Sequence, residues 1–333
     1  MARDFEDHCW KDVVDEEILE IYEPYRREVR VGRNPAVLAI DLYNKAYQGG
    51  NRPVREVNQR YSGSCGENAW RAIEPTQALL AAARKDLLLE RLKRDGRIVA
   101  KEIAAELGLS EDSVRRDLRE LDAAGLAVRV YGGALPASPA IADYAARTTV
   151  APQSKRRVAA AAAALVEPGS TVILDGGTTA RAVVDALPTA LECSIITHSP
   201  TIAAALLDHT ASVFLIGGTL FKHSAVTCGA AAVEAAAQVS ADLFFLGVTG
   251  VHPTAGLTTG DPDEAAMKRA LAGRAADTYV LASSEKIGAA SRYGVLPLDA
   301  VAAVITDAEA ADPTLHELVS KGIKVISPTA GRS

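Results

Sequence analysis

The chain has 333 residues, a length for two or three domains, with 48% hydrophobic and 5% aromatic residues, an ordinary globular composition. Its net charge of −6 excludes a chain that attracts nucleic acid by bulk charge. No apolar run is long enough to span a bilayer, and the acidic N-terminus lacks the apolar core of a secretory signal. Cys9, Cys65, Cys193 and Cys228 are scattered, with no CxxC or Cys/His ligand spacing. Neither a zinc site nor a disulfide framework is expected, and the chain reads as a cytoplasmic protein with reduced thiols, no metal and no cofactor.

In residues 1–83 the spacing suggests an amphipathic helix over 15–27. Residues 35–41, PAVLAID, have the pattern of a buried strand ending in Asp41, and a helix is expected over 67–85. The runs EIYEPYRREVRVGRNPAVLAIDLYNKAYQGG and SCGENAWRAIEPTQALLAAAR resemble the start of N-carbamoylsarcosine amidase, one of the isochorismatase-like hydrolases. In that family the Asp at the end of the first strand is the general base of an Asp–Lys–Cys triad, and Asp41 takes its place. No later segment offers the Lys or the nucleophilic Cys, and Cys65 comes too early. A nucleophile needs its base and an orienting partner. Residues 1–83 therefore read as a truncated hydrolase fragment with no catalytic residues.

Beyond residue 83 the pattern changes. A helix is expected over 87–94, with Leu88, Leu89 and Leu92 turned inward. Ile103, Leu107, Val114, Leu118 and Leu121 recur at helical spacing on either side of Gly108-Leu109. The first helix spans Ala100–Leu107; the second starts after Ser110, whose hydroxyl can cap it, and stops near Gly125. Two short helices across so tight a turn make a helix-turn-helix. The second carries Ser113, Arg115, Arg116 and Arg119, suited to base edges and phosphates in a major groove. Residues 126–131 then alternate and end in Gly132-Gly133, the pattern of a β-hairpin wing bearing Arg129. Residues 84–131 hold 11 Lys/Arg against 10 Asp/Glu, leaving 25 and 32 of the chain's 36 and 42 elsewhere. Attraction to DNA must then come from the arrangement of arginines on one face. Leu109-Ser110, the run Ser113-Val114-Arg115-Arg116-Asp117-Leu118, Leu121, Gly125, Arg129 and Gly132-Gly133-Ala134 resemble the DeoR-type bacterial repressors. Ser113-Val114 stands where that family usually has Thr-Ile.

Pro136 and Pro139 mark a linker. From about residue 154, apolar runs alternate with alanine-rich helical patterns. Strands are expected at Thr171–Leu174, Ser194–Thr197, 213–216, 243–248, 279–282, 302–305 and 324–326. Their continuous hydrophobicity suggests parallel strands covered on both faces, an open doubly wound sheet. Ligands bind beyond the carboxyl ends of such strands. Those ends include Asp175-Gly176-Gly177-Thr178-Thr179, Thr197-His198-Ser199, Gly217-Gly218-Thr219 and Ser283-Ser284-Glu285-Lys286. The first suits a phosphate: glycines admit backbone N–H groups, Thr178 and Thr179 add hydroxyls, and a helix N-terminus follows. Lys286 is a candidate counter-charge. Glu264 and Lys268 share a helical face at a spacing usual for surface pairs, and His198 and His223 read as polar loop residues. The runs LDGGTT, THSP, FLIGGTL, DLFFLGVTGV, GLTTGDPDEAAMKRAL, ASSEKIG and ITDAE resemble, in order, the DeoR-type effector domain. That resemblance implies a fold like ribose-5-phosphate isomerase, used to sense phosphorylated sugars without turning them over. Gly176 and His198 stand where the family often has Ser and Asn.

The expectation is an α/β chain: a truncated fragment (1–83), a winged helix-turn-helix (84–134), a linker (135–153) and a parallel-sheet effector domain (154–328). DNA contacts are expected from Ser110, Ser113, Arg115, Arg116, Arg119 and Arg129. The effector site is expected from Asp175, Gly177, Thr178, Thr179, Thr197, Gly217, Gly218, Glu264, Lys268 and Lys286. The function implied is a transcriptional regulator, a repressor rather than an enzyme, with an operator duplex, a phosphorylated sugar or related metabolite, and further copies of itself as partners, and no membrane. Two rivals stand beside it: an amidohydrolase resting on residues 1–83, and a sugar-phosphate isomerase using Asp175 or Glu264 as base.

Overall fold

The computed structural model describes residues 44–62 and 64–328. The expected helix over 15–27 and the strand ending in Asp41 lie outside the described residues. The chain divides into two units, Met1–Ala83 and Arg84–Ser333. The first holds a 3-10 turn (Asn44–Tyr47), α1 (Val54–Asn58) and the start of α2 (Gly66–Asp95). Ser64 Oγ donates to the Gln48 carbonyl at 2.6 Å, and Trp70 meets Tyr47 edge-on with ring centroids 6.3 Å apart. The helices expected over 67–85 and 87–94 are one continuous element. No Gly or Pro lies between Lys85 and Leu92, and Lys, Leu, Glu and Arg all favour helix, so nothing local stops it.

In the second unit come β1 (Ile98–Val99), α3 (Ala100–Leu107), α4 (Glu111–Ala123), β2 (Ala127–Val130) and β3 (Gly133–Pro136). Gly108 ends α3 in the left-handed region at φ 63°, and Ser110 Oγ accepts the Ser113 N–H at 3.2 Å to cap α4. Val114, Leu118 and Leu121 turn one face of α4 onto Leu88, Leu92, Ile98, Ile103 and Ala104. Asp117 lies on that buried side, ion-paired to Arg84 with Nη2 to Oδ1 at 3.0 Å. The strands pair antiparallel in the order β1-β3-β2. Here Gly133 is required by contact: a Cβ on it would lie 1.7 Å from the Ile98 carbonyl oxygen. Helix-turn-helix and hairpin together form a winged helix.

Residues 137–150 are packed against the domain that follows. The Ala290 N–H donates to the Pro136 carbonyl at 3.1 Å, Ser138 Oγ donates to the Thr249 carbonyl, and the Tyr144 N–H donates to the His223 carbonyl at 2.8 Å. Helix α5 (Tyr144–Arg147) lies in this segment and α6 (Pro152–Ala163) follows it.

The rest alternates strand and helix: β4 (Thr171–Leu174), α7 (Thr178–Ala186), β5 (Ser194–Thr197), α8 (Pro200–Ala205), β6 (Ser212–Leu215), β7 (Thr219–Phe221), β8 (Val226–Cys228), α9 (Ala230–Ala236), β9 (Ala241–Gly247), β10 (Gly250–His252), β11 (Gly256–Thr259), α10 (Pro262–Ala272), β12 (Ala275–Leu281), β13 (Tyr293–Leu296), β14 (Ala303–Ile305), α11 (Pro313–Ser320) and β15 (Val325–Ile326). Seven strands form one parallel sheet, β15-β14-β12-β9-β4-β5-β6, and these are the seven expected from the apolar runs. Successive residues serve opposite faces, as the pleat requires. Ile173, Phe244, Leu246 and Val280 pack toward Ala232, Met267, Leu271 and Leu318. Val172, Leu174, Phe245 and Leu281 pack toward Val158, Val183 and Ile202. The sheet is therefore doubly wound. Two features differ from expectation. A hairpin, β7-β8, and an antiparallel sheet, β10-β11-β13, are added; their strands have only three or four residues, too short for a periodic signal. And β6, expected to be covered on both faces, is exposed along its whole length, because it is the sheet's edge.

Candidate effector site and nucleic-acid interface

The polar centre of the sheet is Asp175, one residue past β4 and fully buried. Its Oδ2 accepts from Lys268 Nζ at 2.6 Å and from the Gly247 N–H at 2.8 Å. Its Oδ1 accepts from the Gly176 N–H at 2.8 Å and faces His198 Nε2 at 2.7 Å, while His198 Nδ1 faces the Thr227 carbonyl at 2.8 Å. Burial would raise the Asp175 pKa, but the Lys268 ammonium and the His198 ring outweigh it and hold the carboxyl well below its usual range. Burial likewise opposes the charge on Lys268, and Asp175 and Glu264 overcome it and raise its pKa. Glu264 completes the cluster: Oε1 lies 3.2 Å from Lys268 Nζ, and Oε2 accepts from Thr259 Oγ1 at 3.0 Å and Ser224 Oγ at 3.3 Å. So Glu264 and Lys268 are a buried pair that braces the strand ends, not the surface pair their spacing suggests. His198 does lie in a loop, the bend after β5, but its side chain is fully buried against Asp175. Both corrections follow from β4, β5 and α10 converging, which no local pattern reports.

Above this cluster opens a cavity lined, among others, by Gly177, Thr178, Thr179, Glu264, Lys268 and Lys286. Gly177 precedes α7 at φ 102°, and no side chain caps that helix, so its first N–H groups face the cavity beside the two threonines. Lys286 Nζ lies 3.4 Å from Thr179 Oγ1, and burial, with the charges of Lys155, Arg147 and Lys268 adding, pushes its pKa down to about 8 against the pull of Glu285. Two more cations line the same wall, Arg147 from α5 and Lys155 from α6. Burial lowers the pKa of both. The Arg147 Nε and Nη2 are buried with no hydrogen-bond partner, and so is Glu285 Oε2. A desolvated guanidinium without a partner is costly unless an anion arrives. The arrangement can thus hold an anionic group at the mouth of α7 and hydroxyls against Glu264, Glu285, Thr249 and Thr259.

Of the residues expected at this site, Asp175 lies beneath the cavity floor. Thr197, Gly217 and Gly218 do not line it. Thr197 Oγ1 accepts the Ser199 N–H at 3.1 Å, and Gly218 sits against Ala232, where a Cβ would come within 2.9 Å. Residues missed from the sequence are Arg147, Lys155 and Thr259; Thr249 and Glu285 lie at strand ends, where ligands are expected. Nothing local distinguishes an arginine in Tyr-Ala-Ala-Arg or a lysine in Pro-Gln-Ser-Lys; strand order alone brings them here.

On the winged helix, Arg115, Arg116, Arg119 and Arg129 are exposed. Arg115 pairs with Glu111 at 2.6 Å across one turn, whereas Arg116 and Arg119 form no hydrogen bond or ion pair with a described side chain. Ser110 Oγ is taken up by the cap and by Ser113 Oγ at 2.9 Å. Tyr131, unremarked in the sequence, stands fully exposed at the wing tip. No described helix is long and apolar enough to cross a membrane. Among the described residues no group of His, Cys, Asp and Glu has a metal-binding arrangement.

Residues 84–139 match the DeoR-like helix-turn-helix domain and residues 150–308 the DeoR C terminal sensor domain. Both matches lie beyond residue 83. The chain is 32% identical over 255 residues to the HTH-type transcriptional regulator GlpR of Haloferax volcanii, which covers 76% of this chain and 100% of that protein. It is 29% identical over 227 residues to the glycerol-3-phosphate regulon repressor of Escherichia coli K12, covering 68% and 90%. Among solved structures, ribose 5-phosphate isomerase A of Methanocaldococcus jannaschii aligns at 18% identity and TM-score 0.29, over 40% of this chain and 52% of that one. With its winged helix and its sensor domain matched in order, the chain belongs to the DeoR-type helix-turn-helix transcriptional regulators.

Proposed function

We propose that this regulator is a repressor whose hold on an operator duplex is set by a phosphorylated sugar or a related phosphate ester. The observation that carries the reading is the Arg147 guanidinium, whose buried Nε and Nη2 have no hydrogen-bond partner, beside Lys155, Lys286 and an uncapped helix N-terminus. The phosphate would lie against the amides of residues 177–179, and the sugar hydroxyls against Glu264 and Glu285. Arg116 and Arg119 would meet the major groove and Arg129 the backbone, with two copies reading two half-sites. Thermal-shift screening of the full chain tests it: sugar phosphates should stabilise at concentrations where the free sugars and inorganic phosphate do not. A chain stabilised equally by the free sugars refutes the phosphate assignment.

Of the two carboxylates an isomerase could use as base, Asp175 is committed to four donors and Glu264 to three, which disfavours both in that role. Residues 1–83 we read as a truncated hydrolase-like fragment dispensable to the regulator, since no later segment supplies the Lys and Cys partners that the candidate base Asp41 would need. Deleting them should leave DNA binding and the ligand response intact, as measured by fluorescence anisotropy with a labelled duplex; loss of either makes the segment part of the regulator.

A further inference from the structure

Strand β6 leaves one side of the parallel sheet open. The Ser212 N–H donates to the Cys193 carbonyl at 3.0 Å, just before β5, and the Ile216 N–H to the Thr197 carbonyl at 2.8 Å, at its end. In a parallel ladder alternate residues face the neighbour, so Val213 and Leu215 direct both their N–H and their C=O groups away from the sheet. Natural edges are guarded by Lys, Pro, a bulge or a covering element. Among the described residues none guards this one, and residues 210–221, TASVFLIGGTLF, contain no charge and no proline. Val213 is 39% exposed, Phe214 53% and Leu215 45%, and Leu207 at 82% and Leu220 at 49% flank the edge. Five large apolar side chains are thus exposed around one open ladder.

We propose that this edge pairs antiparallel with the same edge of a second copy of the chain, joining two seven-stranded sheets across a two-fold axis through Phe214. The occupant follows from three observations. The patch is uncharged, so it has nothing to offer a charged partner. It is self-complementary: with the axis on Phe214, Val213 and the other copy's residue 215 become a hydrogen-bonded pair, each giving an N–H and a C=O, and the mirror pair does the same. Phe214 then meets its own counterpart in the non-hydrogen-bonded position, with Gly217 and Gly218 leaving room beyond. Third, a chain with a single recognition helix reads a two-fold operator only as a pair. The inference rests on that last reading for its purpose, not for its geometry.

The geometry sets the test. In a non-hydrogen-bonded antiparallel pair the Cα atoms are about 4.5 Å apart, within disulfide range. Full-length Phe214→Cys should form a 214–214 disulfide on mild oxidation, identified by peptide mass mapping. The wild type should sediment at a multiple of 34.9 kDa. Leu215→Glu, which places a carboxylate in the paired edge, should shift the mass toward that of one chain while leaving the far-ultraviolet circular dichroism unchanged. A wild type that sediments as one chain overturns the proposal, and so does an oligomer in which Phe214→Cys gives no 214–214 link. Anisotropy with a labelled 30-base-pair duplex of random sequence at low salt separates the two readings. Duplex binding without the cross-link sinks the edge pairing alone; the cross-link without duplex binding sinks the DNA-binding reading alone.

Discussion

Replacing Arg147 by Met removes a charge and keeps most of the side-chain length. Without ligand, the guanidinium is desolvated and its Nε and Nη2 have no partner, so the burial cost outweighs the attraction of Glu264, Asp143 and Asp175. Arg147→Met should therefore melt no lower than the wild type, since an uncompensated buried charge is itself unfavourable. With a phosphate ester bound the balance reverses. Hydrogen bonds to a charged group are worth about 1.5–3 kcal/mol, so the ester should bind roughly 10–150-fold more weakly. At 100 times the wild-type dissociation constant the ligand adds about 2.7 kcal/mol to the wild type. At the same concentration it should add only about 0.3–1.4 kcal/mol to the variant. Isothermal titration and paired thermal melts, with and without ligand, measure both signs. A variant that is stabilised as strongly as the wild type, or one that loses stability without ligand, shows the guanidinium to be structural and refutes the argument.

Three further outcomes are expected. Gly177→Val puts a branched side chain at φ 102°, a region open essentially to glycine at a strain of about 1–3 kcal/mol. It should lower the melting temperature and abolish the ligand response while duplex binding persists; a normal response moves the anion elsewhere. Lys286, at about 8, loses its proton as pH rises through that value, so its attraction for an anion is present below it and fades above it. A phosphate ester gains its second charge near pH 6, so affinity should peak between about pH 6 and 8, and Lys286→Met should flatten the alkaline limb; an alkaline limb unchanged in that variant rules Lys286 out. Arg116→Ala should weaken operator binding by about 1–3 kcal/mol if it reads a base, or reduce the salt slope by about one if it meets a phosphate. Unchanged binding at matched salt removes this face of α4 from the interface.

Much of this fold is legible in the sequence because the signals that build its elements are local. Gly108, the Ser110 cap and the apolar spacing from Ile103 to Leu121 determine the helix-turn-helix within twenty residues. Seven continuous apolar runs determine seven parallel strands, and the glycine- and threonine-rich stretch after Leu174 marks a strand end fit for an anion. What the residues at those ends do for one another depends on strand order, which no local pattern carries. Only the sheet order β12-β9-β4-β5 brings Lys268 and His198 onto Asp175, turns Glu264 from a surface pair into a brace, and leaves Thr197, Gly217 and Gly218 outside the cavity. The same order puts β6 at the edge, so that a run as apolar as its neighbours is exposed instead of buried. Arg147 and Lys155 are the clearest case. Their neighbours in sequence are those of any surface helix, and they line the cavity because the segment from 137 to α6 packs against the domain that follows. Hydrophobic periodicity tells each segment what to become, whereas convergence of charges across more than a hundred residues is decided by packing alone.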